Sequence, residues 1–316
     1  MIRSRLLLLP LALLSASIAL PAVAQEAAPD PEEEVVVTAR RSAAPMWTVE
    51  TPAGVVLLVG EITEVPKATP WHPDRLETAT AGAQRIILGT KAKVSPGDIL
   101  RLIFKGGKLT KLPDKGVAAD YLDARRLARL QALESRYGQR YDRSNFLMTA
   151  FDLLSKRLAF SKDTTDDATD VVRKSARRAD IATRPVGEVR GEDMLDNLFA
   201  AAPASHLPCL DAAMAAAEIG PDIVTARGKA WTSFDIPAVM ANPLETALGR
   251  CWPWTDSSFG PALRGQWIAA INEAMAQPGV TLAVVPVRVL AETDGVLDQL
   301  ERRGLPVSGP RWRVER

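Results

Sequence analysis

The chain has 316 residues, with 39 Lys and Arg against 38 Asp and Glu, a formal net charge of +1. A balance this close to neutral carries no electrostatic footprint for nucleic acid, and the length is ample for one domain with a sizeable core. Beyond the first residues, no segment has the roughly 20 apolar residues that a membrane-spanning helix needs.

Arg3 and Arg5 precede an apolar run, Leu6 to Leu14, broken only by Pro10, and Ala22-Val23-Ala24 supplies a small-x-small cleavage pattern. Residues 1–24 are therefore expected to be a secretory signal peptide, and the mature chain periplasmic. Losing Arg3 and Arg5 leaves 37 basic residues against 38 acids, a mature charge of −1. Residues 25–45 begin as an acidic, proline-containing linker with too little apolar content to pack. Within it, "EVVVTARR" (residues 34–41) is an isolated β-prone island that resembles a TonB box. The resemblance implies a TonB contact by strand addition; a linker strand without a partner is the other reading.

The folded domain is expected over residues 46–316. "MWTVE" and "VVLLVG" flank the turn "TPAG", which predicts a β-hairpin over 46–60. "HPDRLETATAGA" predicts a short helix with Asp74 and Glu77 in its first turn. "RIILG" (85–89) is a buried strand, and "SPGDILRLIF" opens a helix with Ser95 as N-cap and Pro96 at the first position. A helical middle follows: "DYLDARRLARLQALESRYG" closing at Gly138, "FLMTAFDLLSKRLAF" and "DDATDVVRKSARRAD". "IATRPVGEV" reads as a strand and "GEDMLDNLFAA" as a helix. "HLPCLDAAMAAAEIG" and "PDIVTARGKAWTSF" read as a helical pair, and "FGPALRGQWIAAINEAMAQPG" as a strong helix. The end returns to "VTLAVVPVRVL" (280–290) as a strand, "TDGVLDQLERRG" as a helix and "RWRVE" as a closing strand. Strands at both ends around a helical middle predict an α/β domain. Its central mixed sheet is built from N- and C-terminal segments and covered by a large helical insertion.

Two separated blocks resemble one family. "MWTVETPAGVVLLVGEITEVPKATPWHP" is similar to the N-terminal hairpin of the TraB/GumN family, relatives of the Tiki proteases. "RGQWIAAINEAMAQPGVTLAVVPVRVLAETDGVLDQLERRGLPV" is similar to the family's C-terminal block, with its Asp-Gly-Val-Leu and a helix ending in Arg-Gly. The resemblance implies an α/β fold and, in its better-known members, a metal-dependent hydrolytic centre of two histidines and a strand-end glutamate. Imidazoles on strand ends hold a divalent cation, and a carboxylate completes the site or acts as base.

At each implied position this sequence departs. The first histidine falls on Thr63 in Gly60-Glu61-Ile62-Thr63, the glutamate on Gly89, the second histidine on Val289 with its preceding glycine on Arg288, and a further acid on Val189 beside Glu188. A hydroxyl, a hydrogen and an isopropyl group do not replace those ligands, so no metal and no cofactor are expected. Only His72 and His206 remain as imidazoles, too few for a zinc site without carboxylate help. No GxSxG occurs, and "FKGGKLTK" lacks phosphate-loop spacing.

Gly60, Glu61, Glu188, Arg288 and Glu292 remain as candidate pocket residues. An arginine in the apolar run "LAVVPVRVL" must pair or reach solvent; pairing with Glu61 or Glu292 is one expectation, and an outward edge position the other. Cys209 and Cys251, the chain's two cysteines, read as one disulfide in an oxidising compartment, with two buried thiols as the alternative. The Trp252 and Trp254 rings beside Cys251 read as packing over that disulfide or as a stacking surface. The sequence thus points to a decayed metal-hydrolase scaffold with a binding role toward an unknown envelope protein or ligand. A hydrolase with a rearranged site around Glu61, Glu188 and Arg288, and a TonB-linked accessory protein, are the alternatives.

Overall fold

Met46–Glu50 (β1) and Gly54–Glu61 (β2) form the expected hairpin, in register from Met46 opposite Val59 to Glu50 opposite Val55. The computed structural model describes residues 42–314. The leader, most of the acidic linker and the TonB-box-like residues 34–41 lie outside the described residues. Ala43, Ala44 and Pro45 are already buried, so packing starts ahead of Met46.

The other strands are β3 (Val65–Pro66), β4 (Arg85–Leu88), β5 (Thr90–Lys93), β6 (Thr164–Thr165), β7 (Thr183–Arg184), β8 (Gly187–Arg190), β9 (Gly279–Pro286) and β10 (Val307–Ser308). The main sheet runs β10-β1-β2-β9-β4-β7. β2, β9, β4 and β7 are parallel, while β1 runs antiparallel to β2 and β10. The sheet is therefore mixed and drawn from both ends of the chain, with β7 as the only contribution from the middle. β2 and β9 pair from Gly54 opposite Gly279 to Glu61 opposite Pro286, and their near-continuous apolar runs suit parallel strands covered on both faces.

The helices that matter below are α1 (Asp74–Ala81), α2 (Pro96–Lys105), α3 (Ala124–Tyr137), α4 (Phe146–Phe151), α5 (Ala168–Arg178), α6 (Gly191–Ala200), α7 (Leu207–Ile219), α8 (Asp222–Thr232), α9 (Pro243–Arg250), α10 (Phe259–Met275), α11 (Val287–Ala291) and α12 (Val296–Arg302). Their ends follow local chemistry. Ser95 and Asp98 form a capping box at the start of α2, and Gly138, at φ 62°, closes α3 in the left-handed conformation. Two apolar cores result. One surrounds the sheet with Trp47, Leu58, Ile87, Trp231 and Trp267, and the other lies among α3, α4, α7 and α9. In the second, the Sγ atoms of Cys209 and Cys251 stand 2.00 Å apart, a disulfide distance. Among the described residues no helix is long and apolar enough to cross a membrane.

Three local expectations need correction. The predicted strand 280–290 ends at Pro286, and Val287–Ala291 turns into α11. An apolar run of this length fits a buried strand or a buried helix equally well, and the prolyl nitrogen has no proton for a ladder. The predicted helix over "FLMTAFDLLSKRLAF" is α-helical only to Phe151 and continues as a π-type turn over Asp152–Arg157. Of "RWRVE", the described residues 311–314 form no strand; the closing strand is β10, and the segment after it is tied by side chains, with Trp312 Nε1 donating to Asp298 Oδ1 at 2.8 Å.

Candidate functional site

Because β2, β4 and β9 are parallel, their C-terminal ends, Glu61, Leu88 and Pro286, meet at one edge of the sheet. In open α/β sheets this edge is where ligands sit. Gly60 makes its geometry possible. A Cβ there would lie 2.8 Å from the Trp47 ring, and the Gly60 carbonyl accepts from Trp231 Nε1 at 2.8 Å. Gly89 performs the other local task. With φ at +50° it breaks β4 from β5 and turns the chain past the cleft.

Glu61 lies where the cleft meets the N-terminus of α5. Its Oε1 accepts from the Thr169 backbone N–H at 3.0 Å, beside Asp167, which caps the same helix end. Burial, and then the neighbouring Asp167 charge, push the Glu61 carboxyl up to about 7. Burial raises Asp167 as well. Two carboxyl groups therefore share one helix end that offers backbone donors to both.

Two cavities share Glu61, Trp254 and Pro286. The larger, about 290 Å³, is apolar, with Val189, Met194, Phe259, Leu263 and Trp267 in its wall and Gly89 at its edge. The smaller, about 240 Å³, is lined by Thr63, Arg227, Glu245, Trp252 and Arg288. Its floor is an ion network. Arg227 Nε donates to Glu245 Oε2 at 2.7 Å, and Arg288 Nε to Glu245 Oε1 at 2.8 Å. Arg227 Nη1 also donates to the Thr63 carbonyl at 3.1 Å. Arg227 and Glu245 are buried, and Arg288 is 13% exposed. Burial alone would raise the Glu245 carboxyl, but the charges of Arg227 and Arg288 outweigh it and hold the group below its usual range. Burial pulls Arg227 down, against the support of Glu245.

Trp254 divides the two cavities. Arg264 and Arg288 lie over its ring at 5.5 and 5.3 Å, and Arg264 holds Glu292 through both carboxylate oxygens at 2.6 and 3.0 Å. Arg288 therefore pairs with Glu245, and neither Glu61 nor Glu292 is its partner. The reason is its place on α11 rather than on a strand, which aims its guanidinium across at α9. Trp252 donates from Nε1 to Asn197 Oδ1 at 3.0 Å and packs against the core that contains Cys209 and Cys251.

The structure brings Thr63, Gly89, Gly60, Glu61 and Arg288 to this edge and leaves others apart. Val289 is buried in the sheet core and lines neither cavity. Glu188 is exposed on β8 and pairs with Lys93, while its neighbour Val189 faces the larger cavity. Glu292 is held by Arg264 at the rim. His72 and His206 line neither cavity, and burial lowers His206. Sequence reasoning missed Arg227, Glu245, Arg264 and Asp167. One signal was available: Arg227 falls in the apolar stripe Ile223, Val224 and Trp231 at spacings of four, three and four, where a charge needs a buried partner.

The residues present do not fit the divalent metal that the resemblance implies. The cleft offers Glu61 as its one carboxylate without an arginine partner, since Glu245 is occupied by two arginines. Among the described residues no group of three His, Cys, Asp or Glu is placed to hold a metal ion. A fixed protein cation, the Arg227 guanidinium, is bonded to the main chain of Thr63 instead.

A mixed α/β sheet with a cleft at its parallel strand ends and a helical insertion defines the class of protein. The model of the TraB/PrgY/gumN family matches residues 45–309, and the chain belongs to that family. No curated protein and no solved structure matches it.

Proposed function

We propose that this TraB/PrgY/gumN-family member is an exported envelope protein that binds a ligand in the strand-end cleft and has given up metal-dependent hydrolysis. The observation that carries the reading is the Arg227–Glu245–Arg288 network tied to Thr63. A guanidinium bonded to Glu245 and to the Thr63 carbonyl brings permanent positive charge to the strand end, and a divalent cation beside it would meet repulsion with only Glu61 to hold it. The leader over residues 1–24 and the pairable Cys209 and Cys251 support a periplasmic location. The TonB contact through residues 34–41 belongs to the same proposal as a tether to the envelope. Metal analysis with Zn²⁺ and Mn²⁺ titration tests the reading: weak, non-stoichiometric uptake is expected, and stoichiometric retention after dialysis against a chelator would overturn it.

A hydrolytic reading draws on one observation, the Glu61 carboxyl lifted to about 7 at the mouth of an apolar cavity, where a proton donor and acceptor at neutral pH would be placed. Under that reading, a peptide or ester panel turns over with the purified chain and stops with Glu61→Gln. No turnover by the wild type removes it.

A further inference from the structure

Six of the eight exposed large apolar side chains among the described residues fall in one stretch, Val94, Ile99, Leu100, Leu102, Ile103 and Phe104, on and just before α2. Phe104 is 82% exposed and Ile103 68%. The helix is amphipathic, but it is mounted the wrong way round for a protein surface. Its polar side faces the fold: Asp98 is buried in the capping box, and Arg101 pairs with Asp196 of α6. Its apolar side faces out, except for one edge, Val94, Ile99 and Leu102, that also lines a groove against α6. A soluble helix normally buries that stripe, and an outward apolar patch of this density marks an interaction surface.

The surroundings say what kind. Lys91, Lys105, Lys111 and Lys115, in the chain just before α2, at its end and just after it, are exposed and make no ion pair among the described residues. The neighbouring acids are mostly committed: Asp98 to the cap, Asp196 to Arg101, Glu188 to Lys93, and Glu192 and Asp193 to the one Arg190, with Asp114 as the exposed exception. Exposed apolar residues flanked along the chain by unpaired lysines match the apolar boundary and anionic headgroups of a lipid surface, where lysine stems lie along the acyl region and ammonium groups reach phosphate. A two-fold contact with a second copy fits worse, since it would set like-charged lysine clusters against each other.

We infer that α2 is a membrane-docking element, which seats Ile99, Leu100, Ile103 and Phe104 in an anionic lipid surface with Lys105 and Lys111 at the headgroups. This uses no step of the cleft chemistry and holds whichever reading of Glu61 is right. It also orients the cleft. The groove between α2 and α6, lined by Val94, Ile99, Leu102 and Leu198, shares Ala92 and Met194 with the larger cavity, so the docked face adjoins the apolar mouth.

Flotation of the mature chain, from which the apolar leader has been removed, on equimolar phosphatidylglycerol–phosphatidylcholine vesicles tests the inference. Binding is expected, falling with added salt and weak on phosphatidylcholine alone. I103E/F104E changes only exposed positions and should lower binding at least about tenfold with an unchanged melting temperature. Replacing Lys105 and Lys111 with Ala should lower it about fivefold for each lysine. Failure of the wild type to float, or wild-type binding by I103E/F104E, would overturn the inference. So would a dimer in light scattering that I103E/F104E disperses without any vesicle binding, because the second copy would then be the occupant.

Discussion

On one side of Glu61 the cleft is walled by Met194, Phe259, Leu263 and Trp267; on the other it is floored by Arg227, Glu245 and Arg288. The apolar side draws its stability from area removed from water, so it tolerates substitutions of similar volume and adapts to what enters. The charged side works by completeness. Each of its buried charges is affordable only while its partner is present, and removal of one strands another. On that side a guanidinium held by a carboxylate supplies permanent positive charge at the strand end. The three residues of that side lie on α8, α9 and α11, outside the sheet strands.

The largest expected effect breaks the charged side. Glu245→Gln leaves Arg227 buried and underpaired and should cost about 3–5 kcal/mol in urea unfolding. A cost below about 1 kcal/mol would mean that solvent already reaches the network. The second acts beneath that side. Opening the Cys209–Cys251 pair, which spans 42 residues, with Cys209→Ser/Cys251→Ser should cost about 2–4 kcal/mol, and reductant should reproduce the loss in the wild type.

A third contrasts restoring the implied ligands with where the chain puts them. Gly89→Glu points into open space, although its positive φ strains any side chain by about 1 kcal/mol. Val289→His would bury an imidazole in the sheet core, at about 2–3 kcal/mol. The triple change with Thr63→His should therefore lower the melting temperature and gain no Zn²⁺ affinity by titration. A gain of tight zinc would show that α11 can turn residue 289 from the core into the cleft.

The smallest effect sharpens the comparison at the residue both sides share. The folded Glu61 carboxyl sits near 7, above its ordinary 4.5, so the folded state holds this proton longer than the unfolded state. Stability from this group is full below about 4.5, falls as pH rises toward 7, and is flat above. Glu61→Gln should remove that fall and stabilise the protein above pH 7 by on the order of 1–3 kcal/mol. Melting curves on either side of the window check it, and identical pH profiles for the two proteins would contradict the assignment.

Much of the scaffold was legible. The hairpin before Gly60, the capped start at Ser95 and the stop at Gly138 are local decisions, and the two end blocks carried the family. Arg288 shows where legibility ended. Its apolar neighbours marked it as anomalous, but strand and helix were equally consistent with them, and the choice fixed which carboxylate it reached. Glu245 looked like an ordinary acid in a helix first turn, because its two partners lie 18 and 43 residues away.

By itself the sequence determined most of the elements, their order and the absence of histidine at the positions the resemblance implies, since these depend on residue type and short-range spacing. The tertiary structure alone decided that Arg227, Glu245 and Arg288 meet beneath Thr63, that Val289 turns into the core, and that α2 presents its apolar side outward. Such facts depend on how separate helices are rotated against one sheet, and hydrophobic periodicity gives the width of an apolar stripe without saying what it faces.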